Sequence, residues 1–179
     1  MAITSCSGGF TAQEKVLLEQ APTMRVLTID DPADSLLLRQ KSADFSVAAL
    51  KSPEYRTLAA LMVATVTSPE QDGVGIAGPQ VGLLRRIVAV QRFDKEGEPF
   101  EVYPNIRITG IRGPKEAGYE GCLSVPDRSE EVLRSRTVDI AYTSPVTLED
   151  TTETVEGFTA VIFQHECDHL DGILYIDRL

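Results

Sequence analysis

Length, composition and charge exclude several classes of protein. The chain has 179 residues, 42% of them hydrophobic, so it can bury one sizeable core and is most simply one domain. Its formal net charge is −10 without a cluster of Lys or Arg, which argues against binding of DNA or other nucleic acid. No apolar run approaches the roughly 18 residues of a membrane span. Three irregularly spaced cysteines argue against a disulfide framework and favour a reducing compartment such as the cytoplasm.

The first 22 residues are predicted to be a mobile leader with one short helix. Residues 11–14 have a capping-box sequence, so this helix should run to about Gln20. Residues 3–6 resemble a lipoprotein cleavage box in which Cys6 would be lipidated. The charged and apolar segment that such a signal needs does not precede it in this sequence. We therefore favour a disordered leader over a lipoprotein-like precursor anchored through Cys6.

The remaining elements are typical of an α+β protein. Residues 24–29 favour a short strand or extended arm, and residues 30–32 a turn. Pro53 begins a helix that continues to about Thr67. Candidate strands cover residues 86–91, 100–103, 105–111, 132–136, 137–142 and 151–155. We predict antiparallel β-sheets packed around a C-terminal helix, with an N-terminal helix, and one catalytic domain over residues 23–179.

The C-terminal stretch from Gln164 to Gly172 contains both histidines of the chain. On a helix, His165 and His169 lie one turn apart on the same face, so both imidazoles can bind one metal ion. Glu166 is a carboxylate that could take a proton from a metal-bound water. Apolar side chains on the His165 face favour the helix, and Gly172 is expected to end it. The apolar residues of that face are Phe158, Val161 and Ile162.

A third ligand is needed, because two histidines at this interval also occur by chance on solvated helices. The ten residues after His169 contain neither His nor Glu, so the ligand is expected upstream. Thiolate is the strongest candidate donor for a divalent transition metal. Cys167 lies about 200° round the helix from each histidine and is expected to be a buried apolar side chain. Cys6 lies in the leader, which leaves Cys122.

Three motifs, in this order, resemble the signature motifs of the peptide deformylases. They are Gly73-Val74-Gly75-Ile76-Ala77-Gly78-Pro79-Gln80, Glu120-Gly121-Cys122-Leu123-Ser124 and Gln164-His165-Glu166-Cys167-Asp168-His169-Leu170-Asp171-Gly172. The similarity runs from about Met24 to Leu179. It implies that Cys122, His165 and His169 bind one divalent metal, Fe²⁺ physiologically, with Zn²⁺ or Ni²⁺ in purified protein.

The resemblance also implies an activity. A metal-dependent hydrolase would remove the N-formyl group from the formyl-methionine of newly made polypeptides and release formate. Metal-bound water would be the nucleophile and Glu166 the general base and acid. The Gln80 side chain and the Leu123 backbone N–H would be the oxyanion donors. From its residues alone, the glycine-rich loop could equally be a flexible connection; only the resemblance favours its approach to a ligand.

An apolar slot for the methionine side chain is a further prediction. The residues assigned to it are Val74, Gly75, Leu123, Phe158, Val161 and Ile162. The alternative for the helical residues is an ordinary core. Arg134 and Asp168 are hypothesised to pair and steady the metal-binding helix, the alternative being ordinary surface charge.

The expected partners are N-formyl-Met peptides and nascent chains. The resemblance implies that many bacterial members dock on ribosomes through a basic helical tail, whereas this sequence stops seven residues past Gly172. Strong ribosome docking is therefore not expected. Two other classes are a different metal-dependent amidohydrolase or small protease, and a catalytically silent metal-binding protein. Glu166 favours catalysis, because a binding site does not need it as a ligand.

Overall fold

The computed structural model describes residues 8–179, so Cys6 and its lipoprotein-like box lie outside the described residues. The helices are Ala12–Leu17 (α1), Pro32–Leu38 (α2), Val47–Lys51 (α3), Pro53–Val66 (α4) and Gly157–Leu170 (α5). The strands are Gly75–Ala77 (β1), Ile87–Gln91 (β2), Phe100–Pro104 (β3), Arg107–Cys122 (β4), Val125–Thr143 (β5) and Asp150–Glu156 (β6). Two 3₁₀ helices cover Gly78–Val81 and Tyr175–Arg178. None of these helices is long and apolar enough to cross a membrane.

Two antiparallel three-stranded sheets confirm the predicted α+β fold. Their strand orders are β1-β2-β3 and β4-β5-β6, so β1 and β4 are both edge strands. The turn between β4 and β5 is short, because Cys122 pairs directly with Val125. Helix α5 contacts strands of both sheets and therefore lies at the centre of the molecule. Its Phe163 side chain is fully buried, with its ring centroid 5.0 Å from that of Tyr103.

Helix α5 ends as the sequence predicted. Gly172 has a φ of +74°, in the left-handed region that favours glycine. Its N–H donates to the carbonyl oxygen of His169 at 3.1 Å, and the N–H of Ile173 donates to that of Asp168 at 3.0 Å. This pair of bonds is a Schellman motif and satisfies carbonyl groups of the last turn. The helix thus ends directly after its second histidine.

The predicted strands were too short in the β4–β5 hairpin. Residues 132–136 and 137–142 form one strand of 19 residues, and the strand predicted for residues 105–111 continues as a strand of 16 residues to Cys122. Most residues from 111 to 119 are exposed. Since both faces of the hairpin meet solvent there, its sequence lacks the apolar alternation that marks a half-buried strand.

The predictions for residues 24–32 are confirmed in part. Residues 24–29 form the extended arm, one of the two predicted alternatives; Leu27 N–H donates to Gln80 O at 2.8 Å and Ile29 N–H to Ser124 O at 2.9 Å. The predicted turn is present at Asp30, but Asp31 then caps helix α2, which begins at Pro32. The Asp31 side chain accepts from two backbone N–H groups of α2, and Pro32 occupies its first turn, where no N–H is needed.

Candidate metal centre and active site

Helix α5 and the end of β4 bring the three predicted ligand residues together. One donor atom each from Cys122, His165 and His169 lies within 4.8 Å of the other two. The Cys122 sulfur is 3.2 Å from Nε2 of His169, which is fully buried. Cys167, in contrast, is buried in the core on another side of the helix, where burial raises the pKa of its thiol. The expected choice among the cysteines therefore agrees with their positions.

A buried carboxylate orients His165. Oε2 of Glu120 lies 2.8 Å from Nδ1 of His165. Burial opposes ionisation of Glu120, but its bonds to His165 and Arg134 outweigh burial and hold its pKa at about 2. Because an ionised carboxylate only accepts hydrogen bonds, we assign the proton to Nδ1, which leaves Nε2 of His165 free to bind a metal. The Tyr175 ring stacks on His165 at 6.0 Å and limits its tilt.

The Glu166 carboxylate is almost completely buried, at 4% exposure. Its Oε2 atom has no hydrogen-bond partner among residues 8–179. Burial raises the pKa of Glu166 to about 7; the charge of Glu120 adds to this, while that of Arg134 opposes it. Room for this side chain depends on Gly75, where a Cβ atom would lie 2.5 Å from Oε1 of Glu166. A carboxylate so placed can exchange a proton near neutral pH.

Hydrogen bonds at both ends fix the Gln80 amide. Its Oε1 accepts from the Ala77 backbone N–H at 2.9 Å, which settles which end of the amide carries the hydrogens. Its Nε2 donates to Ser124 Oγ at 3.2 Å and faces the Cys122 sulfur at 3.7 Å. Leu123 lies in the turn that follows Cys122. Both residues predicted as oxyanion donors therefore flank Cys122.

A cavity of about 370 Å³ opens beside these groups. All six residues assigned to the methionine slot line it, together with Gln80, Cys122, His165 and Glu166. Phe158 is 49% exposed and Ile162 only 4%, so Phe158 is at the surface and Ile162 belongs also to the core. Tyr119, which the sequence analysis did not select, lines the cavity as well and is 77% exposed. The cavity joins an apolar wall to the polar groups around Cys122.

Arg134 and Asp168 form the hypothesised ion pair. Arg134 Nη1 lies 2.6 Å from Asp168 Oδ2, and the two residues are 5% and 9% exposed, so the surface-charge alternative is wrong. Arg134 also donates from Nε and Nη2 to both oxygens of Glu120, at 2.8 and 3.1 Å. Sequence reasoning missed Glu120. Its position two residues before Cys122 on one strand was the available signal, since alternate residues of a strand share a face.

The donor set fits a divalent transition metal. One thiolate and two imidazoles suit Zn²⁺ or Fe²⁺ and leave a coordination position open in a four-coordinate site. Oε2 of Glu166, beside these donors, is buried without a hydrogen-bond partner in the described part of the chain. Buried polar atoms are normally partnered, so this atom indicates that the site is built around a further group.

Comparisons with known proteins point to one family. A sequence model of the polypeptide deformylase family matches residues 23–179. A peptide deformylase of Leptospira biflexa is 35% identical over 162 residues, covering 87% of each chain, and one of Desulforudis audaxviator is 39% identical over 71% of this chain and 79% of that protein. A class I type b peptide deformylase of Acinetobacter baumannii, solved with Met-Ala-Ser bound, has a TM-score of 0.78 at 32% identity, covering 89% of this chain and all of that one. The Thermotoga maritima peptide deformylase has a TM-score of 0.75 at 31% identity, covering 88% and 97%.

Proposed function

The chain belongs to the polypeptide deformylase family, and we propose that it removes the N-formyl group from the formyl-methionine of newly made polypeptides, releasing formate. The observation that carries this proposal is the convergence of the Cys122, His165 and His169 donors with Glu166 and Gln80 beside one cavity. The Met-Ala-Ser bound to the Acinetobacter baumannii enzyme is the peptide that deformylation of formyl-Met-Ala-Ser would leave. Residues 23–179 are proposed as the catalytic domain.

Peptide deformylases are metalloenzymes, and Cys122, His165 and His169 would hold the metal here. When bound, a divalent ion supplies the Lewis acidity that makes a water molecule nucleophilic near neutral pH. We propose Fe²⁺ as the physiological ion, because thiolate softens the donor set, and Zn²⁺ or Ni²⁺ as the ion retained in purified protein.

Glu166 acts as the proton carrier in this proposal. Its buried carboxylate accepts a proton from the attacking water and passes it to the amine nitrogen as the C–N bond breaks. The products are formate and a peptide with a free N-terminus. The Gln80 amide N–H and the Leu123 backbone N–H donate to the oxyanion that forms on the formyl group. The bond from Ala77 N–H to Gln80 Oε1 supports this role, because it turns the NH₂ group toward Cys122.

The apolar wall of the cavity is proposed to hold the methionine side chain. Phe158, Val161 and Ile162 come from α5, and Val74, Gly75 and Leu123 complete the lining. An unbranched thioether adapts well to such a wall. Replacing methionine by alanine in the peptide should lower kcat/KM at least about tenfold, since each lost methylene contact weakens transition-state binding. Equal kcat/KM values for the two peptides would remove these residues from the proposed slot.

Formate release under anaerobic conditions tests the proposed function. Iron-loaded protein is expected to release formate from formyl-Met-Ala-Ser and to leave acetyl-Met-Ala-Ser intact. Cleavage of an internal peptide bond would indicate a protease instead. No turnover by metal-replete protein would favour a silent metal-binding protein.

A further inference from the structure

We propose that Arg178, in the C-terminal 3₁₀ helix, positions the metal ligand His165 through a chain of buried side chains. The chain runs from Arg178 through Asp168, Arg134 and Glu120 to His165. Arg178 does not line the cavity that contains Glu166 and Gln80, so it would act only through its neighbours. The proposal rests on the metal centre proposed above.

Each link of the chain is a short, charge-assisted contact. Arg178 holds Asp168 with two bonds, from Nη2 to Oδ1 at 2.5 Å and from Nε to Oδ2 at 3.0 Å. The same Oδ2 accepts from Arg134 Nη1 at 2.6 Å. Arg134 donates from Nε and Nη2 to both oxygens of Glu120, and Oε2 of Glu120 lies 2.8 Å from Nδ1 of His165. The planar guanidinium of Arg134 is held by Asp168 on one side and Glu120 on the other, so it has little freedom to turn. A shift of Asp168 therefore changes the position of Glu120.

Charge balance explains why Arg178 matters. Glu120 and Asp168 are two buried carboxylates, at 8% and 9% exposure, and Arg134 is the buried cation that lies between them. Arg178 supplies the second positive charge that makes the group of four neutral. Without it, two carboxylates share one guanidinium, which leaves an uncompensated buried charge. Arg134 would then be drawn toward Asp168, and its two-bond contact with Glu120, which orients His165, would loosen.

Arg178 is partly exposed, so it can be replaced without leaving a cavity in the core. Its side chain is 44% exposed and lines a second depression, of about 560 Å³, with Arg134 and Asp168. A matched control exists, because Arg39 forms an ion pair with Asp177 of the same 3₁₀ helix. Arg39 is 39% exposed, and no hydrogen bond or ion pair among residues 8–179 joins it to Glu120, Arg134 or Asp168, so replacing it removes the same charge and one tether of the same 3₁₀ helix.

Metal binding by Arg178→Gln and Arg39→Gln tests the proposal. Zn²⁺ affinity would be measured by chelator competition, and the visible spectrum of the Co²⁺-loaded protein would report the ligand geometry. We expect Arg178→Gln to bind Zn²⁺ about 3- to 10-fold more weakly, somewhat less than is usual for a group touching a ligand directly. Its Co²⁺ spectrum should shift. Arg39→Gln should match the wild type in both measurements while losing similar thermal stability.

Arg178→Lys is a second variant, which keeps the proposal testable if Arg178→Gln does not fold. It keeps the charge but offers no two-bond contact, so its affinity and spectrum should lie between those of the wild type and Arg178→Gln. Equal affinities and spectra for the Arg178 and Arg39 variants, or tighter binding by Arg178→Gln, would overturn the proposal. If the wild-type protein binds metal normally but does not deformylate peptides, the proposed function is wrong. The proposal that Arg178 positions His165 would still stand.

Discussion

Two buried arginines, Arg92 and Arg134, both form ion pairs with carboxylates, but the two networks connect different parts of the molecule. Arg92 is 2% exposed and Arg134 is 5% exposed, and each binds more than one carboxylate. Arg92 joins the β2–β3 hairpin to β6 through Asp94 at 2.7 Å and Glu153 at 2.5 Å. Arg134 joins β4 to α5 through Glu120 and Asp168.

The two networks differ in what the carboxylates contact next. Asp94 and Glu153, the partners of Arg92, are 25% and 28% exposed, so that network ends at solvent. Glu120, the partner of Arg134, continues to His165. Burial and ion pairing are common to both arginines, so they do not distinguish the two networks. The proposed metal ligand His165, at the end of the Arg134 network, does.

Replacing each arginine by methionine should separate the two roles most strongly. Arg134→Met leaves Glu120 and Asp168 without their shared cation, so we expect a loss of about 3–5 kcal/mol in the free energy of unfolding. Its metal affinity should fall about 10- to 100-fold. Arg92→Met should cost about 1–3 kcal/mol, because its carboxylates can turn to water, with metal affinity unchanged. Urea unfolding and chelator competition would measure both. A similar loss of metal affinity in both variants would abolish the distinction.

Neutral replacements of one carboxylate in each network sharpen the comparison. Glu120→Gln keeps an acceptor for His165 Nδ1–H but removes the charge that fixes the tautomer, so metal affinity should fall about 10-fold. Glu153→Gln is its control in the Arg92 network, where we expect no change in metal affinity. If Glu120→Gln binds metal as tightly as the wild type, the carboxylate does not orient the ligand.

Acid should weaken the Arg92 network by a smaller amount. Hydrogen bonds from Arg92 are the main cause that lowers the pKa of Asp94 in the folded protein. A lowered folded pKa contributes stability that is complete above the unfolded value of 3.8 and is lost as the pH falls through the folded value. Wild-type stability should therefore decline between roughly pH 4 and pH 2 more than that of Arg92→Met. Parallel urea-unfolding curves for the two proteins across this range would contradict the assignment.

Local spacing predicted the arrangement of the candidate ligands better than it predicted the supporting network. The one-turn interval between His165 and His169 and the Gly172 helix end depend on a single helix, so the sequence was sufficient. The contact of Glu120 with His165 joins residues 45 positions apart. It depends on the register of the β4–β5 hairpin, where Glu116 pairs with Arg134. No periodic signal encodes that register, because the outer hairpin is exposed on both faces.

The contacts of Arg178 were also beyond sequence reasoning. Asp168 lies in the last turn of α5, and Arg178 returns to it only because the chain reverses after Gly172. A surface charge near a terminus gives no indication of such a contact. The two oxygens of Asp168, shared between two guanidinium groups, become recognisable only in three dimensions.

Glu166→Gln provides the most direct test of the central claim that Glu166 carries the proton in deformylation. The amide keeps the size of the side chain and cannot accept the proton. With metal content equal to that of the wild type, we expect formate release from formyl-Met-Ala-Ser to fall about 10²- to 10⁴-fold. Wild-type turnover in a metal-replete Glu166→Gln protein would contradict the account.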